Sequence, residues 1–121
     1  MSEKEDLLSG LILELRRGTI VLSVLSQLEK PMYGYALVQK LSDRNVPVEA
    51  NTLYPLLRRL EKQGLLKSEW ETSSAKPRKY YVITQLGTEV NVELKKHWER
   101  IVDSMKHLIN GEEDEYEEIS K

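Results

Sequence analysis

Cysteine is absent from this chain, and with it go disulfides, thiolate metal sites and thiol nucleophiles. A reducing compartment is fully compatible with that absence. Histidine is scarce: only His97 and His107 occur. Glu93 with His97, and Asp103 with His107, have the i to i+4 spacing that can grip a metal, but two ligands do not close a site. Such pairs are ordinary neighbours on a helix surface. No glycine-rich phosphate loop follows a strand, so no catalytic residue, metal or cofactor is expected. Residues Met1 to Asp6 are charged and lack the long apolar stretch of a signal peptide or membrane span. The expectation is a soluble, cytoplasmic protein with no membrane partner. Internal repeats at solenoid periods are also missing.

What is present is enough for one core: 121 residues, 40% of them hydrophobic. The formal net charge of -2 at first argues against a nucleic-acid partner, because phosphate contacts need Lys and Arg. Its distribution says otherwise. Six acids (Glu112, Glu113, Asp114, Glu115, Glu117, Glu118) crowd one short run, and the rest of the chain carries 18 basic against 14 acidic side chains. Between Ala50 and Tyr80 the bases Arg58, Arg59, Lys62, Lys67, Lys76, Arg78 and Lys79 face only Glu61, Glu69 and Glu71. That is a local positive field, or equally a solvated helix face beside a charged hairpin.

Periodicity orders the chain as three helices, a hairpin and one long helix. Val21, Val24, Leu25 and Leu28 recur at helical spacing between Arg16 and Leu28, closed by Pro31. Upstream, Leu7, Leu8, Leu11, Ile12, Leu13 and Leu15 are too apolar for a free tail, although Gly10 and Gly18 count against one continuous helix. Tyr33, Leu37, Val38 and Leu41 mark a short second helix, with a turn over Asp43 to Pro47. Ala50 to Gln63 sets Leu53, Leu56, Leu57 and Leu60 on one face, and Gly64 terminates it. Leu65 to Glu71 and Lys79 to Ile83 are strand-like, joined by a polar loop. Thr84 caps a final helix from about Gln85 to Asn110, and Gly111 with the acidic run is expected to end order. The predicted class is mainly α with a small β-hairpin. Its parts are an N-terminal arm (1–15), a winged helix-turn-helix (16–83), a long C-terminal dimerisation helix (84–110) and an acidic disordered tail (111–121).

In a winged helix-turn-helix one helix enters the major groove of duplex DNA. Here that is Ala50 to Gln63, whose first turn offers Asn51, Thr52 and Tyr54, with Arg58 one turn on. Asn51 suits adenine, and Thr52 and Tyr54 suit base edges or phosphates. Equally, Asn51 and Thr52 serve as an N-terminal cap and Tyr54 as a core edge. At the hairpin tip Lys76, Arg78 and Lys79 have the reach of a wing, a basic tip being otherwise plain soluble surface. Tyr80 and Tyr81 point to opposite faces of their strand, and Trp70 is expected as a packing anchor under the wing. Leu94, Trp98, Ile101, Met105 and Leu108 form a coiled-coil-like seam. A homodimer through that seam and the apolar arm, or packing of the seam on the first helix, would bury it. A dimer would set two recognition helices roughly 34 Å apart and call for an inverted-repeat operator.

Pro31, Met32, Tyr33, Gly34 and Tyr35, then Thr52 to Glu61 (TLYPLLRRLE), Gly64 and Leu65, and then Arg78, Lys79, Tyr80, Tyr81 and the Thr84 to Gly87 turn closely resemble the PadR family of transcriptional regulators. The resemblance runs from about Arg16 to Leu108. It implies a dimeric repressor that responds to phenolic acids or other toxic small molecules, and it brings Tyr33 into the DNA-binding set. In the multidrug-responsive branch a tryptophan on the last helix sandwiches flat aromatic ligands. Trp98 takes that place, with Ile12, Thr19, Ser23 and Val102 lining the cavity. Asn51 stands where the family usually has glycine, which bears on base preference. Two other readings differ in kind. A winged helix can be a protein-protein adaptor, whose binding need not weaken with salt, and a drug-sequestering protein would bind through Trp98 without DNA.

Overall fold

The computed structural model describes residues 2–111. Its elements are α1 (Glu3–Arg17), α2 (Ile20–Gln27), β1 (Met32–Tyr33), α3 (Gly34–Asp43), α4 (Ala50–Lys62), β2 (Leu66–Glu71), β3 (Arg78–Ile83) and α5 (Gln85–Asn110). The chain forms two compact units divided between Asn91 and Val92. The expected acidic tail from Glu112 onward lies outside the described residues.

In the first unit the core is aliphatic. Val24, Leu25 and Leu28 from the first core helix, Leu37 and Leu41 from α3, and Leu53, Leu57 and Leu60 from α4 are all buried, with Leu66 and Tyr81 of the sheet. Each such leucine contributes about 1.5–3 kcal/mol by leaving water, so the three short helices hold together through packing rather than through their own propensity. Asn91, only 2% exposed, donates from Nδ2 to Ser26 Oγ at 3.2 Å and so ties the start of α5 to α2.

Helix ends follow local chemistry. After α4, Gly64 adopts φ +82, Leu65 N donates to Leu60 O and Gly64 N to Glu61 O, both at 3.0 Å. After α3 the same motif is built on Asn45 at φ 62, with Val46 N donating to Leu41 O at 2.8 Å and Asn45 N to Ser42 O at 3.1 Å. These paired bonds satisfy carbonyls that a helix end otherwise strands. Thr84 accepts from Gly87 N at 3.0 Å and donates its hydroxyl to Gly64 O at 2.6 Å, so the cap of α5 also fixes where α4 stops.

Three expectations are corrected. The first core helix does not begin at Arg16: α1 runs through Gly10 to Arg17, the chain breaks at Gly18, where Thr19 N donates to Arg16 O at 2.9 Å, and α2 starts at Ile20. A Ser2 cap, three acids in the first turn and two arginines in the last suit the helix dipole and outweigh the one interior glycine. Tyr33 is not inside the second helix but is its extended N-cap; with Met32 it forms β1, which pairs antiparallel with Tyr80 and Tyr81. The wing is therefore a three-stranded sheet in the order β1-β3-β2. Trp70 is no anchor, being 61% exposed. The Tyr80 and Tyr81 alternation is as expected, with Tyr81 only 3% exposed.

In the second unit, Val92, Trp98, Ile101, Met105, Leu108 and Ile109 of α5 are exposed, while Leu94 and Val102 are half-buried. In the first unit α1 buries no residue, leaving Leu7, Leu8, Leu11, Leu13 and Leu15 exposed. No helix among the described residues is long and apolar enough to cross a membrane.

Candidate nucleic-acid interface

Helix α4 divides cleanly. With Leu53, Leu57 and Leu60 turned inward, the helical repeat leaves Asn51, Thr52, Arg58, Arg59 and Lys62 exposed on the other faces. Asn51 and Thr52 are not the cap, because the N-cap position is Glu49, which makes no side-chain cap bond. Their polar groups are available to a ligand along with Arg58. Pro55 has no N–H to give the Asn51 carbonyl one turn back. Tyr54 is half-buried and lies on Gly34: a Cβ there would come within 2.5 Å of Tyr54 Cε1. Gly34 thus lets the N-terminal end of α3 meet α4 closely, and Tyr54 is a hinge of packing as well as a hydroxyl at the surface.

On the wing, register sorts the cations. Trp70 pairs with Lys79 and Glu71 with Arg78, so Lys79 and Arg78 face opposite sides of the sheet. Lys79 Nζ lies over the Trp70 and Tyr81 rings, 5.9 and 5.4 Å from their centroids, and 3.7 Å from Glu61 Oε1. Glu61 Oε2 in turn accepts from Ser68 Oγ at 2.5 Å. Lys79 is a strut between wing and recognition helix, half-buried rather than held out. Lys76, by contrast, sits exposed in the loop.

Arg78 belongs to β3 rather than to the loop. Its guanidinium carbon stands 4.8 Å over the Tyr33 ring, and Nη1 donates to Tyr35 Oη at 3.1 Å. Tyr33 stacks on Tyr35 at 5.8 Å, with 6° between the rings, and meets Tyr80 edge-on at 6.1 Å. Tyr33 is therefore a platform for Arg78. Tyr80 Oη donates to Glu69 Oε2 at 2.8 Å, and that bond to a carboxylate, first among its causes, holds the phenol above its ordinary pKa. Glu71 accepts from the Ser73 hydroxyl and from Ser73 N, the latter at 2.8 Å. These bonds, helped by Arg78, hold its carboxyl below the usual range.

Of the eight residues expected at a DNA surface five share one cleft; Asn51 and Lys76 are exposed outside it, and Thr52 borders a separate depression with Val38 and Pro47. That cleft, of about 420 Å³, runs between the start of α3, the recognition helix and the wing, and Tyr33, Tyr54, Arg58, Arg78 and Lys79 all line it. Sequence reasoning missed Tyr35 and Trp70 in its lining, and also Arg59, exposed on α4 outside the cleft, which lies two turns from Thr52 and which periodicity alone would have found. Tyr35 and Trp70 carried no such signal, since their places depend on how β3 pairs.

The effector set is distributed differently. Ile12 is on α1; Thr19 and Ser23 are half-buried at the start of α2, and their hydroxyls donate to Arg16 O at 2.8 Å and Thr19 O at 2.9 Å. Trp98, 42% exposed, and Val102 line a shallow depression of about 290 Å³ on α5 with Glu99, Asp103 and Lys106. No group of three or more metal-ligating side chains occurs among the described residues.

Comparison with known proteins gives a consistent answer. The model of the Transcriptional regulator PadR-like family matches residues 21–96. The crystal structure of a PadR family transcriptional regulator from Eggerthella lenta is similar with a TM-score of 0.84 and 54% identity, over 88% of this chain and 95% of that one. A PadR-like transcriptional regulator from Bacillus cereus is similar with a TM-score of 0.73 and 31% identity, over 82% of this chain and 99% of that one. A transcriptional regulator of Mycobacterium tuberculosis is 33% identical over 89 residues, 73% of this chain and 83% of the relative.

Proposed function

Because this chain belongs to the PadR-like family of transcriptional regulators, which act on DNA and are not enzymes, we propose that it is a cytoplasmic homodimeric repressor released from an inverted-repeat operator by a small aromatic or otherwise toxic ligand. The observation that carries the DNA half of this reading is the division of α4: Leu53, Leu57 and Leu60 buried, Asn51 and Thr52 exposed, and Arg58 exposed and lining the cationic cleft. An amphipathic helix with a polar and cationic outer face, next to a wing, fits a major groove.

The dimer is supported by the apolar side chains left exposed along α5 and, on the other unit, along α1, since runs of exposed apolar residues mark interaction surfaces. Two copies related by a two-fold axis would present two recognition helices to successive major grooves. Trp98 and Val102, with Ile12, Thr19 and Ser23, are the residues we assign to ligand binding. Release requires the ligand to bind the DNA-free form more tightly than the bound form.

The test is fluorescence anisotropy on the DNA flanking the protein's own gene, at two salt concentrations, for the parent and an Arg58→Ala, Arg78→Ala pair of variants. Affinity should fall with salt by about 0.9 log units per phosphate contact per decade, and the variants should flatten that slope. Salt-independent binding, or none, would favour a protein-protein adaptor instead. A ligand that quenches Trp98 while operator affinity stays constant would indicate sequestration without regulation.

A further inference from the structure

We propose that the cleft between the start of α3, α4 and the wing is a seat for one backbone phosphate of the duplex, with Arg78 its direct ligand and Tyr35 and Tyr33 the residues that hold Arg78 ready for it. The proposal rests on the DNA-binding reading above and goes beyond it in assigning Tyr35, a side chain from the opposite end of the motif.

The geometry carries the case. A free arginine side chain on a strand is conformationally loose, and ordering it on binding costs affinity. Here the guanidinium carbon already stands 4.8 Å over the Tyr33 ring and Nη1 is already bonded to Tyr35 Oη at 3.1 Å. Tyr33 and Tyr35 are themselves stacked at 5.8 Å, so Arg78 meets two rings that already support each other. One of the five guanidinium N–H groups is spent on Tyr35; others remain to meet a phosphate, which takes paired N–H donors well. Arg78 is exposed at the rim of the cleft.

The neighbouring charges point the same way. Glu71, opposite Arg78 in register, has its carboxylate engaged by the Ser73 hydroxyl and N–H. Lys79 shares its charge with Glu61. Arg78 and Arg58 are left as the cleft's positive groups without a carboxylate within ion-pair reach among the described residues, and a sugar-phosphate unit is the anionic element of duplex DNA that a cleft of this kind would receive.

A double-mutant cycle tests this without knowledge of the operator. The full chain is titrated onto a short mixed-sequence duplex from about 50 to 200 mM salt, where phosphate contacts dominate affinity. Tyr35→Phe keeps the ring stack and removes the acceptor; it should weaken binding about 2- to 12-fold, the range for leaving one such side chain unordered. Arg78→Ala should flatten the log-log salt slope by about 0.9, the loss of one phosphate contact. In the Arg78→Ala background Tyr35→Phe should cost nothing, because its only role is through Arg78. Thermal midpoints of both single variants should stay with the parent.

Equal losses from Tyr35→Phe with and without Arg78 would overturn the proposal, as would an unchanged slope in Arg78→Ala. A parent chain that binds no duplex even at low salt would overturn both this and the DNA-binding reading, whereas additive effects on a binding parent would overturn this alone.

Discussion

Lys79 Nζ lies 3.7 Å from Glu61 Oε1, joining the wing to the recognition helix through a pair that is about one-third exposed on each side. The pair partly cancels the charge of Lys79, a wing cation turned toward α4. Replacing Glu61 by Gln should therefore tighten binding to duplex DNA by about 2- to 5-fold at low salt, an effect of the size that exposed ion pairs exert, and the gain should vanish near 1 M salt. Anisotropy titrations at two salt concentrations check it. Lys79→Ala should flatten the salt slope less than Lys76→Ala, because Lys76 has no such ion-pair partner among the described residues.

Two glycines allow close approaches of different kinds. At Gly87 an added Cβ would run into the Leu65 carbonyl and come within 2.6 Å of Ile83 Cγ1. Gly87→Ala should lower stability by about 1–3 kcal/mol, an overpacking cost that exceeds the gain in helix propensity. At Gly34 the obstacle is the half-buried Tyr54 ring, which can turn away. Gly34→Ala should cost less than Gly87→Ala, and thermal denaturation of the two variants side by side gives the ranking.

Asn45 holds the left-handed turn after α3 at φ 62. Glycine suits that backbone at no steric cost and a β-branched residue does not. Asn45→Gly should be neutral or stabilising by a few tenths of a kcal/mol, and Asn45→Val should be destabilising by about 1–2 kcal/mol. Chemical denaturation midpoints at constant m-value separate the two outcomes.

The proposed dimer makes a mass prediction. Ile101 and Met105 are exposed on the apolar stripe of α5; replacing both by Lys should convert a particle of twice the 14.1 kDa chain mass into a monomer in sedimentation equilibrium. Operator affinity should fall by at least about 100-fold as the second half-site is lost. A variant that stays dimeric would transfer the interface to the exposed leucines of α1.

Glu71 is held deprotonated by Ser73 and Arg78, so its folded-state pKa is depressed. Whatever order this lends the wing loop is present above the ordinary carboxylate range and is lost as pH falls through the lowered value. A carboxyl titration followed by NMR should show Glu71 with a midpoint below that of a free glutamate, and Ser73→Ala should move it back up.

Much of the interface was legible in residue order. Leu53, Leu57 and Leu60 named the buried face of α4 and so exposed Asn51, Thr52 and Arg58 by elimination; Gly64 and Thr84 marked helix boundaries through their own turn and cap chemistry. Trp70 was misread because strand alternation says which side of a sheet a residue takes, not whether anything covers that side. The break at Gly18 was also unclear, since α1 is stabilised by end charges and a cap that compete with its interior glycine.

What the chain determined by itself was whatever depends on neighbours within a turn or two: helical periods, caps, left-handed turns and the alternation of Tyr80 with Tyr81. Tertiary structure alone decided that β1 joins the wing, that Lys79 turns to Glu61, and that Arg78 reaches Tyr35 across 43 residues of sequence. Those outcomes hang on strand pairing and on the close seat of α3 against α4, and no local period encodes a contact between segments that meet only after the core has formed.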